Sequence, residues 1–142
     1  MPNPDHHSLS KHDFEILADF RYQIRKFVRF SEQITRAHGI TPLQYLLLLH
    51  IKGYPGRNWA TVGELAERLQ AQHHGVVALI SRCEKQGFVK RWRSSEDRRR
   101  IEIHLLENGE RVLDELARLH RTELLSLQGR FVVPDTRVFD HG

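Results

Sequence analysis

Between Thr61 and Leu105 the spacing of apolar residues changes once, from three-and-four to two, and that change leaves few folds open. "TVGELAERL" offers Thr61 as a helix cap and Glu64 three residues later as its reciprocal carboxylate, so a short helix starts there. Leu65, Ala66 and Leu69 make its inner face. After a break at Gln70 and Ala71 a second helix is expected over about 72–86, with Val76, Val77, Leu79, Ile80 and Cys83 inward and Gly87 as its stop. Two short helices joined by a tight turn make a helix-turn-helix pattern. "FVKRW" and "RIEIHL" follow at once and alternate as two short strands of a hairpin.

The flanks are helical. Ser10 and Asp13 form a capping box, and Leu17, Phe20, Ile24, Phe27, Ser31 and Ile34 then repeat at three and four to give one apolar seam. Gly39 ends this helix, which would run roughly 42 Å over about 11–38. A long helix with so wide an apolar face is expected to pack on a partner as well as on its own chain. "TPLQ" starts the next helix, with Thr41 as cap, Pro42 in the first turn and Gln44 closing the box. "LQYLLLLHI" is apolar nearly all round and is expected to be buried. "GYPGRN" reads as loop. From Leu106 the helical period returns, and a tail containing Pro134 closes the chain. The expected fold class is mainly α with a small β-wing: a winged helix-turn-helix at 41–105, between an arm and long helix at 1–40 and a final helix and tail at 106–142.

Charge is concentrated in the hairpin. The chain of 142 residues carries a net charge of only +4, yet residues 85–100 hold seven Lys or Arg against two acids, Glu96 and Asp97. Like charges at a hairpin tip repel, so the arrangement makes sense beside a polyanion. Nucleic-acid phosphates supply the counter-charge, and a narrow minor groove attracts arginine. Asp97 is placed to hold Arg99 by a charge-assisted bidentate bond. At the start of the second short helix, Gln72 can pair with adenine, and His73 or His74 can donate to guanine or phosphate. The two histidines lie about 100° apart on the helix, so they cannot share one direction. Arg82 is either a phosphate contact or half of an intramolecular ion pair.

With these residues in place, "TPLQYLLLLHI", "TVGELAERL" and "VVALISRCEKQGFVKRWRSSEDRRRIEIHLLENG", in that order, resemble the MarR family of winged-helix transcription regulators over roughly 15–128. The most specific element is "EDRRR" just after "GFVKR". The resemblance implies that Arg99, oriented by Asp97, enters a minor groove, and that Gln72, His73, His74 and Gly75 face a major groove. It implies a homodimer built on the terminal helices and a pseudo-palindromic double-stranded DNA site, with Arg98 and Arg100 on phosphates. It also implies a repressor released by a small-molecule effector held between the dimerising helices and the DNA-binding part, where Tyr45, His50 and Trp59 are the expected lining. Two departures stand out: the family often caps the recognition helix with a small hydroxyl residue where this chain has Gln72, and its final short helix is shortened or replaced by the Pro134 tail.

Other functions lack their residues. No Gly-rich phosphate loop, nucleophile elbow or carboxylate cluster is present, so an enzyme is not expected. The ten histidines show no i, i+4 pair with a nearby carboxylate, so neither metal nor cofactor is expected, and the lone Cys83 excludes an intrachain disulfide. No apolar run approaches the roughly 18 residues of a membrane span, and the N-terminus lacks a signal-peptide pattern, which makes the cytoplasm the expected location. The competing expectation is a winged-helix protein-interaction module whose basic wing docks an acidic partner.

Overall fold

The computed structural model describes residues 8–127 and 132–135; His6, His7 and most of the tail lie outside them. Helix α1 spans Lys11–Ala37, α2 Pro42–Lys52, strand β1 Trp59–Thr61, α3 Val62–Leu69, α4 His73–Lys85, β2 Val89–Arg93, β3 Ile101–Leu105 and α5 Glu107–Ser126. All three capping boxes form: Ser10 with Asp13, Thr41 with Gln44, and Thr61 with Glu64. Each is local, so each helix start is set by four consecutive residues. Gly87 takes φ +76°, a left-handed value that a side chain disfavours, and turns the chain from α4 into β2. Gln70 takes φ 51° without being glycine and makes the tight turn between α3 and α4.

The core lies where α2, α3 and α4 meet the inner face of the sheet. Leu47, Leu48, Ile51, Leu65, Ile80, Val89 and Ile103 are completely buried there, and Leu113 and Leu116 of α5 close it from the far side. At α5 the fit is backbone to backbone: a Cβ on Gly109 would lie 2.1 Å from the carbonyl oxygen of Phe88. Helix α2 is less enclosed than its composition predicts, since Leu43 and Leu46 reach solvent. In α1 the fully buried residues are Asp13 and Thr35; along the apolar seam Phe20, Ile24, Phe27, Ser31 and Ile34 are partly buried and Leu17 is exposed.

The sheet corrects the two-strand expectation. It has three antiparallel strands in the order β1-β3-β2. Trp59 pairs with His104 and Thr61 with Glu102, so the residues between the "GYPGRN" loop and α3 form an outer strand at the wing's root. Thr61 serves both elements, as the last residue of β1 and the cap of α3. Among the described residues no helix is long and apolar enough to cross a membrane.

Candidate nucleic-acid interface

The packing of α4 decides which of its residues face outward. Val76, Leu79, Ile80 and Cys83 are buried, and burial pushes the Cys83 thiol up to about 11, so it is a small apolar side chain. Gln72, His73, His74 and Gly75 precede the first buried position and are all exposed. Gln72 is the N-cap, but its side chain makes no capping bond, so the amide stays available to a partner. A Cβ on Gly75 would meet nothing within 4 Å, so internal packing does not require glycine there, and the bare backbone permits close approach. Arg82 is exposed further along, and among the described residues it takes part in no ion pair.

Ser94, buried at 5% exposure, builds the wing tip. Its hydroxyl accepts from the N–H groups of Glu96 and Asp97, each at 3.2 Å, and from the Arg100 guanidinium at 3.0 Å. Its own N–H donates to the Arg100 carbonyl at 3.0 Å, which closes the turn. The expected bidentate grip of Asp97 on the Arg99 guanidinium does not form; the Asp97 Oδ1 instead accepts from the Arg99 backbone N–H at 3.0 Å. A carboxylate two residues before an N–H reaches it as an Asx turn, whereas a bidentate grip on the guanidinium requires the side chain to fold back. The side chains of Arg98 and Arg99 therefore project exposed, with no ion pair among the described residues.

Arg100 behaves differently from its neighbours. Its guanidinium donates to Glu102 at 3.1 and 3.3 Å and lies 4.8 Å from the ring centroid of Trp59. It clamps the hairpin from within instead of projecting toward a phosphate. Trp59 also carries the Arg57 guanidinium at 3.9 Å, which in turn pairs with Glu64 on α3. His104 stacks on Trp59 at 6.2 Å and lies tilted against Trp92 at 5.3 Å, and its Nε2 lies 3.0 Å from Glu102. Burial alone would push the Glu102 carboxyl up, but His104 and Arg100 outweigh it and hold the carboxyl below its usual range. This aromatic and charged layer fixes the wing to α3, and nothing in the sequence beyond the two tryptophans signals it.

The expected effector lining is not brought together. Tyr45 is buried against His120 of α5, where burial raises its phenol pKa. His50 lies near the other end of α2, its imidazole lowered by burial and then by the charge of Arg68. Trp59 belongs to the wing. Among the described residues no group of three His, Cys, Asp or Glu could hold a metal.

Comparison with known proteins agrees with this architecture. Residues 38–100 match the MarR family. The HTH-type transcriptional regulator YsmB of Bacillus subtilis is 26% identical over 136 residues, covering 89% of this chain and 87% of that protein. The chain spans about half the length of two other curated relatives, 54% and 48%. A MarR family protein from Bacillus stearothermophilus superposes with a TM-score of 0.72 at 25% identity, over 94% of this chain and 91% of that one. A MepR mutant of S. aureus, bound to an oligodeoxyribonucleotide, shares the fold with a TM-score of 0.64 at 19% identity, over 80% and 81% of the two chains. In its helix order and three-stranded wing the chain shares the fold of MarR family structures, and over residues 38–100 its sequence matches the MarR family.

Proposed function

We propose that the protein is a homodimeric regulator that binds double-stranded DNA at a pseudo-palindromic operator and represses until a small-molecule effector releases it. The observation that carries the DNA reading is a pairing of exposed ends. The first turn of α4 offers Gln72, His73, His74 and Gly75 to solvent, and the neighbouring hairpin tip offers Arg98 and Arg99. In this reading the α4 residues enter a major groove, Arg99 a minor groove, and Arg98 and Arg82 meet phosphates. Asp97 orients the tip, and Arg100 holds it from inside.

Residues 41–105 form the DNA-binding unit, with 1–40 and 106–142 as the dimerising parts. Support for the dimer comes from α1: a helix of 27 residues that buries Asp13 and Thr35 while Phe14, Leu17, Tyr22 and Val28 stay exposed. Two recognition helices then reach successive major grooves about one turn apart. The effector would sit in the open groove of about 460 Å³ between α2 and α5, where Leu49, Leu113 and Ala117 lie among Lys52, Arg111, Glu107, Glu110 and Asp114. That lining forms one continuous groove, unlike the separated Tyr45, His50 and Trp59.

Selection from a random pool of double-stranded DNA, with a salt series, tests this directly. The expected result is enrichment of a pseudo-palindrome and a steep fall of affinity with salt. Weak binding without enrichment, by protein that sediments as a dimer, would overturn it in favour of a wing that docks an acidic protein.

A further inference from the structure

Arg91 sits in the middle of β2, opposite Ile103 of β3, on the sheet face turned toward the helices. Its guanidinium leaves the sheet for α4. It pairs with the Glu84 carboxylate and donates to the Ser81 hydroxyl at 3.0 Å and the Val77 carbonyl at 3.3 Å. The backbone N–H of Arg91 donates to the same Glu84 at 3.3 Å. Val77, Ser81 and Glu84 follow one another along a single stripe of α4, so one side chain spans about two turns of that helix. Val77 lies one turn beyond His73, and β2 runs through Arg93 directly into the wing tip.

We propose that Arg91 is a positioning residue that sets the distance and angle between the recognition helix and the wing, and so the separation between major-groove and minor-groove contacts that the protein accepts. The inference rests on the DNA reading above. Arg91 itself contacts no DNA in this account. Folding alone gives little reason for the bridge. The Arg91 and Glu84 side chains are 30% and 35% exposed, a range in which ion pairs add little stability. The hairpin is already anchored by the fully buried Val89, Ala60 and Ile103. The bridge instead joins the two elements that must meet DNA at once. Only a planar fork with several donors can reach three acceptors on one helix, so lysine cannot replace it.

The test uses the full chain and the operator found by selection, together with versions in which one base pair is added or removed between the α4 contact and the wing contact. Wild-type protein is expected to lose about tenfold or more on the altered spacings. Arg91→Gln, Arg91→Lys and Glu84→Gln should bind the original operator more weakly yet discriminate less between spacings, with melting temperatures close to wild type. Arg99→Ala should cost less in the Arg91→Gln background than alone, since the wing no longer arrives in register. An equal loss on every spacing, or no loss at all, would overturn the role of Arg91 while leaving DNA recognition intact. A wild-type protein without salt-steep, sequence-selective binding would overturn both.

Discussion

The imidazole of His120 lies parallel to the ring of Tyr45, with centroids 4.4 Å apart and planes 6° from parallel. Phe27 and Phe30 present edges to it at 6.2 and 6.0 Å. Its Nδ1 is 2.8 Å from the Leu116 carbonyl and its Nε2 2.8 Å from the Ser31 hydroxyl. A carbonyl only accepts, so Nδ1–H donates to it. The ring thus joins α1, α2 and α5 with both nitrogens satisfied. His120→Ala should leave a cavity and strand the Ser31 hydroxyl, costing about 2–4 kcal/mol. His120→Phe should keep the stack and cost less. Urea denaturation of both variants orders them; equal stabilities of the two would remove the ring stack from the account, and a His120→Phe variant as stable as wild type would remove the polar bonds.

Gly109 sets two effects against each other. Alanine is the better helix former by about 1 kcal/mol, so propensity alone predicts a gain from Gly109→Ala. The new Cβ would meet the Phe88 oxygen at 2.1 Å, and that atom is backbone that also accepts from the Leu106 N–H at 2.9 Å. Overpacking of about 1–3 kcal/mol or more should win, and the variant should unfold at lower urea.

The three tip arginines should separate in a salt titration. Arg98→Ala and Arg99→Ala should each lower the salt slope of operator binding by about one, with stability unchanged to within about 0.5 kcal/mol. Arg100→Ala should instead loosen the hairpin, because Glu102, Ser94 and Trp59 lose their common partner. Amide exchange over 89–105 reads this difference, and identical exchange in the Arg99 and Arg100 variants would contradict it.

Glu64 gives the fold an acid-sensitive joint. Burial alone would push its carboxyl up, but hydrogen bonds from Tyr54, Thr61 and Arg57 outweigh it and hold the carboxyl below the ordinary 4.5. A depressed carboxyl contributes its stability in full above the unfolded value and loses it as pH falls through the folded one. Glu64→Gln keeps an acceptor for the Thr61 N–H but no charge. Wild type should be the more stable at pH 7, and the difference should start to shrink as pH falls through the ordinary carboxyl value and close only below the depressed folded one. A gap of constant size in thermal melts across that range would rule the carboxylate out.

What the sequence discloses here is what is local. Each capping box lies within four residues, and the inward stripe of α4 within eight, so both follow from spacing. Strand β1 escapes because three residues cannot display a period, and its pairing partner lies more than forty positions away. Arg100 cannot be told from Arg98 and Arg99 by composition. Its different role depends on Trp59 from another strand, against which the guanidinium lies while it pairs with Glu102 two residues on. The same holds for Gly109, whose small size matters only against Phe88.

The strand order also has a temporal meaning. Because β3 lies between β1 and β2, the pairing of Trp59 with His104 encloses α3, α4 and the whole hairpin in one loop of chain. The helices and the hairpin are made of near neighbours and can form early. The outer edge of the sheet can join only after residue 104 has emerged and that loop has closed, which is the slower kind of event. Assembly of this unit therefore finishes at Trp59, the residue that carries Arg57 and Arg100, and the wing gains its footing last.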